Sequence, residues 1–91
     1  MLNKDIIKKI KKEIDLNKNR EIKLSVGYCF KVFTFSLNVF IKDSDSCFNS
    51  SILDIQFKSL DSAKKFYLDS LKENIVFNLN GCSQLKEVVL K

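Results

Sequence analysis

The hydrophobic period of this chain changes once, between residues 16 and 21, and that change decides the class of fold. Before it, Leu2, Ile6, Ile7, Ile10 and Ile14 recur at steps of four, one, three and four, the stripe of an amphipathic helix. From Glu21 the period is two: Ile22, Leu24 and Val26 alternate with Glu21, Lys23 and Ser25, which describes a strand with one buried face. The helix is expected to start with Asn3 as N-cap and Asp5 in its first turn. It should end at about residue 17, where Asn17 and Asn19 loosen it.

Gly27 is expected to permit a tight turn after the first strand. The run Tyr28 to Lys42 then reads as one long strand whose apolar phase switches from even positions (Tyr28, Phe30, Val32) to odd ones (Phe33, Phe35, Leu37, Val39, Ile41). That slip predicts a β-bulge at Val32–Phe33. The alternate face, with Thr34, Ser36, Asn38 and Phe40, is expected to meet solvent. Residues 42–51, KDSDSCFNSS, read as a loop, and Ile52 to Phe57 as a third strand with Leu53, Ile55 and Phe57 in phase.

Ser59 or Asp61 should cap a second helix of about 13 residues with Leu60, Ala63, Phe66, Tyr67, Ser70 and Leu71 on its inner stripe. Asn80-Gly81 is a strong hairpin signal between two β-rich stretches and predicts strands at 74–79 and 83–90. The expected order is α-β-β-β-α-β-β. One antiparallel sheet of about five strands with two helices on one face satisfies these periodicities with short connections. The fold class is therefore an α+β two-layer sandwich, one domain over residues 1–91.

Composition then removes whole classes of function. With 91 residues, 45% apolar and 30% charged, the chain can close one core and is too apolar for disorder. Its N-terminal apolar residues are spaced between charges rather than massed, and no run of about 18 apolar residues exists, so a cytoplasmic protein without membrane contact is expected. There is no His, which takes away the commonest general base, the Ser-His triad and most zinc sites. The only glycines are Gly27 and Gly81, so no phosphate-cradling loop can form. Asp43, Asp45 and Asp54 invite comparison with a calcium loop, but Phe48 stands where the sharp turn needs Gly and an Asp where the bidentate Glu belongs. Cys29, Cys47 and Cys82 form no C-x-x-C motif, and an odd count leaves one unpaired; they are expected to be reduced, buried small hydrophobes. Tyr67 could stack in a binding site, yet its helical spacing with Ala63 and Leu71 points to the core. No cofactor, metal, small-molecule substrate or catalytic residue is expected, which leaves a binding protein.

Net charge is +5 and unevenly spread. Residues 1–23 hold eight basic and four acidic side chains, 24–60 three of each, and 61–91 five and four. Lys4, Lys8, Lys11, Lys12 and Lys18 fall within roughly 120° beside the isoleucine arc. A lysine ridge of this kind suits an anionic partner, and a merely solvated helix face has the same pattern. These lysines, with Thr34, Ser36, Asn38 and Phe40 of the sheet, are the candidate partner-binding residues.

Two resemblances bear on the partner. Ser59-Leu60-Asp61-Ser62-Ala63-Lys64 is similar to the S-K-K-x-A-K opening of the second helix in double-stranded-RNA-binding domains, whose core is also α-β-β-β-α. That resemblance implies RNA contact through Lys64 and Lys65, although Leu60-Asp61 replaces the phosphate-gripping lysines and the family's loop Pro and His are missing. The opening Met1-x-Asn3-x-Asp5-Ile6-Ile7-x-x-Ile10-Lys11, followed by Ile22-Lys23-Leu24-Ser25 and a late helix with Lys65-Phe66, resembles the layout of small phage-encoded anti-CRISPR inhibitors. This second resemblance implies a compact, catalytically silent protein that occludes a nucleoprotein machine. Those inhibitors are acidic and this chain is basic, so DNA mimicry does not carry over; a basic version is expected to touch guide RNA or an acidic protein face through its lysines.

Three readings follow. The first is an inhibitor of the phage or mobile-element kind acting on a protein or ribonucleoprotein complex. The second is an RNA-binding domain using Lys4, Lys8, Lys11 and Lys12 with Lys64 and Lys65. The third is a subunit of a larger assembly, for example a homodimer burying Phe40, because Phe40 and Phe48 are apolar where solvent is expected.

Overall fold

The computed structural model describes residues 2–42, 47–79 and 82–89, and of 47–49 and 87–89 the backbone alone. The amphipathic N-terminal stripe forms helix α1 (Asn3–Leu16), with Ile6, Ile7 and Ile10 buried. Its N-cap is Leu2, without a side-chain cap bond. Asn3 instead donates from Nδ2 to Asp69 at 3.0 Å, so the residue expected to cap the helix ties it to a neighbour. Asn17 closes the other end: its Nδ2 donates to the Glu13 carbonyl at 2.8 Å and its Oδ1 accepts from Arg20 at 2.9 Å. Those two bonds explain how an Asn is buried there.

Strands β1 (Glu21–Cys29), β2 (Val32–Lys42) and β3 (Cys47–Phe57) form an antiparallel sheet in the order β1-β2-β3. β2 alternates between buried and half-buried along its length, with Phe33, Phe35, Leu37 and Val39 inward. At about 3.4 Å per residue the 11 residues of β2 span about 37 Å, and this sets the 43 Å long axis of the molecule.

Three expectations about this region are corrected. Gly27 lies inside β1, paired with Thr34, and the turn begins three residues later, at Phe30-Lys31 between the paired Cys29 and Val32. Both turn residues have positive φ, 52° and 64°, the pattern of a two-residue hairpin of the mirror-image type I kind. Each non-glycine residue in that region costs about 1–2 kcal/mol. The phase slip at Val32–Phe33 is therefore the passage from one strand to the next, not a bulge in a single strand. The register irregularity falls between Leu37 and Asn38, opposite Leu53 and Ser51, with Ile52 as the extra residue. The third correction concerns the loop: residues 47–51 are already strand, so β3 begins five residues before the expected Ile52, and only 43–46 lie outside the described residues.

Ser59 caps α2 (Leu60–Lys72), accepting from the Ser62 N–H at 3.1 Å. Ala63, Phe66, Tyr67 and Ser70 are buried, as the stripe predicts. The helix ends on Asn74 at φ 62°. Ile75 N–H reaches the Ser70 carbonyl at 2.9 Å and Asn74 N–H the Leu71 carbonyl at 3.0 Å, a Schellman closure in which Asn serves in place of Gly.

The C-terminal segment departs most from expectation. Residues 83–89 form a helix, α3 (Ser83–Val89), and 74–79 form no strand of the sheet. The sheet has three strands among the described residues, and helices α1, α2 and α3 all contribute to the core on one face. Cys82 and Leu85 are buried three residues apart, a helical interval that the β-rich composition of the tail obscures. The segment before α3 runs parallel to β1 and meets it at one bridge, Ser25 with Asn78. Val26 N–H donates to Asn78 O at 2.9 Å and Asn78 N–H to Leu24 O at 2.8 Å. Asn80-Gly81 lies outside the described residues.

The core is organised around Phe35, which is fully buried. Its ring meets Phe66 at 4.9 Å, Phe77 at 5.0 Å and Phe57 at 5.7 Å, each edge-to-face. Such pairs add about 0.5–1.5 kcal/mol each beyond area burial. One residue therefore joins the sheet, α2 and the segment leading to α3.

Candidate functional site

The docking of α1 on α2 leaves a groove between them. Two adjoining open depressions, of about 470 and 330 Å³, share Lys4 and Asp69 and run along it. The larger is completed by Leu2, Asn3, Phe57, Ser62 and Lys65, the smaller by Ile7, Lys8, Lys11, Lys72 and Glu73. Five lysines and two carboxylates thus line one track.

Helical geometry places them there. Lys4, Lys8 and Lys11 are spaced i, i+4, i+7, and Lys65 and Lys72 are seven apart, so each set lies along one side of its helix. The two carboxylates are already engaged. Asp69 accepts from Asn3 Nδ2 at 3.0 Å, and Glu73 pairs with Lys11 Nζ at 2.6 Å, both side chains half-exposed. Among the described residues Lys4, Lys8, Lys65 and Lys72 have no carboxylate partner. The groove therefore keeps an excess of positive charge after its internal pairs are formed.

The structure divides the expected lysine ridge. Lys4, Lys8 and Lys11 line the groove; Lys12, one step of 100° around the helix, and Lys18, in the turn after α1, are exposed elsewhere. Of the two α2 lysines, Lys65 lines the groove, whereas Lys64 is half-buried outside it. Lys72 was absent from the expected set. Its interval of seven from Lys65, matching the Lys4 to Lys11 interval on α1, is the signal that identifies it.

Thr34, Ser36, Asn38 and Phe40 share the outer face of the sheet, and all four are half-buried rather than exposed. Two of the outer-face groups are absorbed by a third: Ser36 Oγ donates to Asp54 Oδ1 at 2.7 Å and Ser51 Oγ to Asp54 Oδ2 at 2.9 Å. Phe40 pairs across the strands with Glu21 and Asn49. The Phe48 side chain lies outside the description.

The remaining candidates separate by burial. Tyr67 is 3% exposed, and burial raises its phenol above the ordinary value of 10.0, so it is a core residue. Cys82 is buried, and its thiol is likewise raised above 9.0 by desolvation; such a thiol is a weak nucleophile at neutral pH. Cys29 is exposed near the hairpin turn, contrary to the expectation that it is buried, because it is the last residue of β1 and points to the outer face. Among the described residues no three His, Cys, Asp or Glu side chains come together as metal ligands, and no helix is long and apolar enough to cross a membrane.

No protein-family model, curated protein or solved structure matches this chain.

Proposed function

We propose that this protein is a small non-enzymatic binding protein that occludes a nucleoprotein target, gripping the phosphates of its nucleic acid component with the α1–α2 groove. The observation that carries the reading is the surplus of cations in one track: Lys4, Lys8, Lys65 and Lys72 beside two carboxylates that are already bonded. A row of amines of this kind neutralises successive phosphates and releases their counterions. Such contacts position a partner and carry no sequence information. The resemblance of the opening segment to phage-encoded anti-CRISPR inhibitors supports the occlusion half of the proposal, and the basic charge supports contact with guide RNA in place of DNA mimicry.

The second reading, an RNA-binding domain acting on free RNA, is favoured by the same groove, since Lys65, next to the resembling α2 segment, lines the same depression as Lys4. One experiment separates them. Affinity for free RNA is measured across salt concentrations, alongside affinity for the complex that co-purifies with the tagged protein. Occlusion predicts tight capture of the complex with weaker, salt-sensitive binding to free RNA. Equal affinity for both favours the RNA-binding domain, and salt-independent binding to both removes the groove from either account.

A further inference from the structure

The β1–β2 hairpin ends in a residue that the groove does not use. Phe30 is 94% exposed, and it sits in a two-residue turn where both φ values are positive. Asn-Gly fills such a turn without strain, so a Phe-Lys pair there is a local rule broken at the surface, and strain of this sort gathers at functional positions. The stem below is stiffened, because the ring of Tyr28 lies 4.5 Å from that of Phe33.

The tip and the groove are at the same end of the molecule. Phe33 is the cross-strand partner of Phe57, and Phe57 lines the groove mouth with Leu2, Lys4 and Lys65. The turn beyond Val32 and the lateral step from β2 to β3, together roughly 10 Å, separate Phe30 from that mouth. A stacked strand covers that distance in about three nucleotides at 3.4 Å each. Charge at this end still favours cations: Lys31 is on the tip, Lys58 follows Phe57 in sequence, and Lys4 and Lys65 flank the mouth, against Asp5 and Asp61 in the first turns of α1 and α2 and Asp69, which Asn3 engages.

We infer that Phe30 is a stacking residue whose ring takes the face of an unpaired base, in a single-stranded nucleic acid whose phosphates lie along the lysine groove. The inference rests on the groove reading and names its ligand class. A cationic track with an aromatic platform beside it is how single strands are held without regard to sequence. A base-paired helix keeps its base faces stacked internally and offers no such surface to a side chain at the tip. A lipid surface fits less well, because one ring and one lysine bury far less than a myristoyl chain, itself a marginal anchor.

The chain has no Trp, so Phe30→Trp places a single fluorophore at the tip. It is titrated with an oligouridylate of about 12 nucleotides, a length within single-strand site sizes. Parallel titrations use an RNA duplex of the same length and phosphatidylglycerol–phosphatidylcholine vesicles, and binding is followed independently by anisotropy of the labelled RNA. Quenching by the oligouridylate, with little change on the duplex, is expected. Phe30→Asn, which suits the turn, should melt no lower than wild type and bind the oligouridylate about tenfold more weakly with an unchanged salt slope, because the phosphate contacts remain. Lys4→Gln with Lys8→Gln should do the reverse, lowering the slope.

Salt-dependent binding with an unquenched reporter and a Phe30→Asn variant that binds like wild type overturns the stacking role and leaves the groove standing. Absence of salt-dependent binding by wild type overturns the groove reading and the stacking role together. A blue shift on vesicles without quenching by RNA overturns stacking in favour of lipid.

Discussion

The α1–α2 groove and the outer face of the sheet are on opposite sides of the protein, and they treat their polar groups differently. On the outer face, Ser36 and Ser51 both give their hydroxyl protons to Asp54, so the hydrogen-bonding capacity of these two serines is spent within the sheet. In the groove Lys11 neutralises Glu73, while Asn3 bonds Asp69 without cancelling its charge, so four further amines stand against one charged carboxylate. Serines that are already bonded within the sheet have little left to offer a partner. A surface with surplus charge of one sign does, and this is why the proposed recognition surface is the helical side.

The largest effect comes from removing what both surfaces share. Phe35→Ala opens a cavity where three edge-to-face contacts meet and should cost about 3–5 kcal/mol, read from the midpoint of urea denaturation. Loss of that size in a small domain abolishes the groove and the outer face together. A cost under about 1 kcal/mol would show that the aromatic cluster is not the link between them.

Next come substitutions that separate the two surfaces. Lys4→Gln, Lys8→Gln and Lys65→Gln should each lower the log-log salt slope of single-stranded RNA binding by about 0.7, while Thr34→Ala and Asn38→Ala leave it unchanged. The opposite ranking moves the binding site to the sheet. Lys11 is a poorer probe because its substitution also breaks the pair with Glu73.

A smaller effect is expected from Asp54→Ala. It strands two serine hydroxyls at a solvent-accessible surface and should lower stability by about 1 kcal/mol without altering RNA affinity. A matching loss of affinity would mean that the outer face takes part in recognition.

The smallest effect is alkaline and belongs to the core. Burial raises both Cys82 and Tyr67, so at high pH the unfolded chain holds fewer protons than the folded one and stability falls as pH increases. The stabilising contribution is complete below 9.0 for the thiol and below 10.0 for the phenol, and it is lost as pH rises toward the higher folded values. Denaturation midpoints compared at pH 8 and pH 10.5 should differ, and Tyr67→Phe with Cys82→Ala should flatten the difference.

Some of this was legible in the residues and some was not, for physical reasons that differ by segment. The two long helices announced themselves because each has a wide apolar stripe and, for α2, a serine cap at Ser59. The hairpin turn was misplaced because Gly27 carries the usual turn signal while Phe30 and Lys31 carry none. Strand β3 was cut short because Asn49, Ser50 and Ser51 read as loop residues, yet β2 supplies backbone partners along their length. The tail misled most: Val88 and Val89 favour strands, but Cys82 and Leu85 have a core to enter only as a helix, and tertiary burial overrides propensity in so short a segment. In the groove, Lys4, Lys8 and Lys11 were visible as a ridge. That Lys65 and Lys72 face them could not be read from either helix alone, because it depends on how the helices dock.

The bridge between Ser25 and Asn78 has a consequence for assembly. A sheet with two open edges can take on copies at both sides and grow without limit. Here the C-terminal segment covers only the middle of β1, Leu24–Val26 of Glu21–Cys29. The same two backbone bonds that fasten the tail thus break the free border of β1 into two runs of three residues, shorter than an ordinary strand pairing needs.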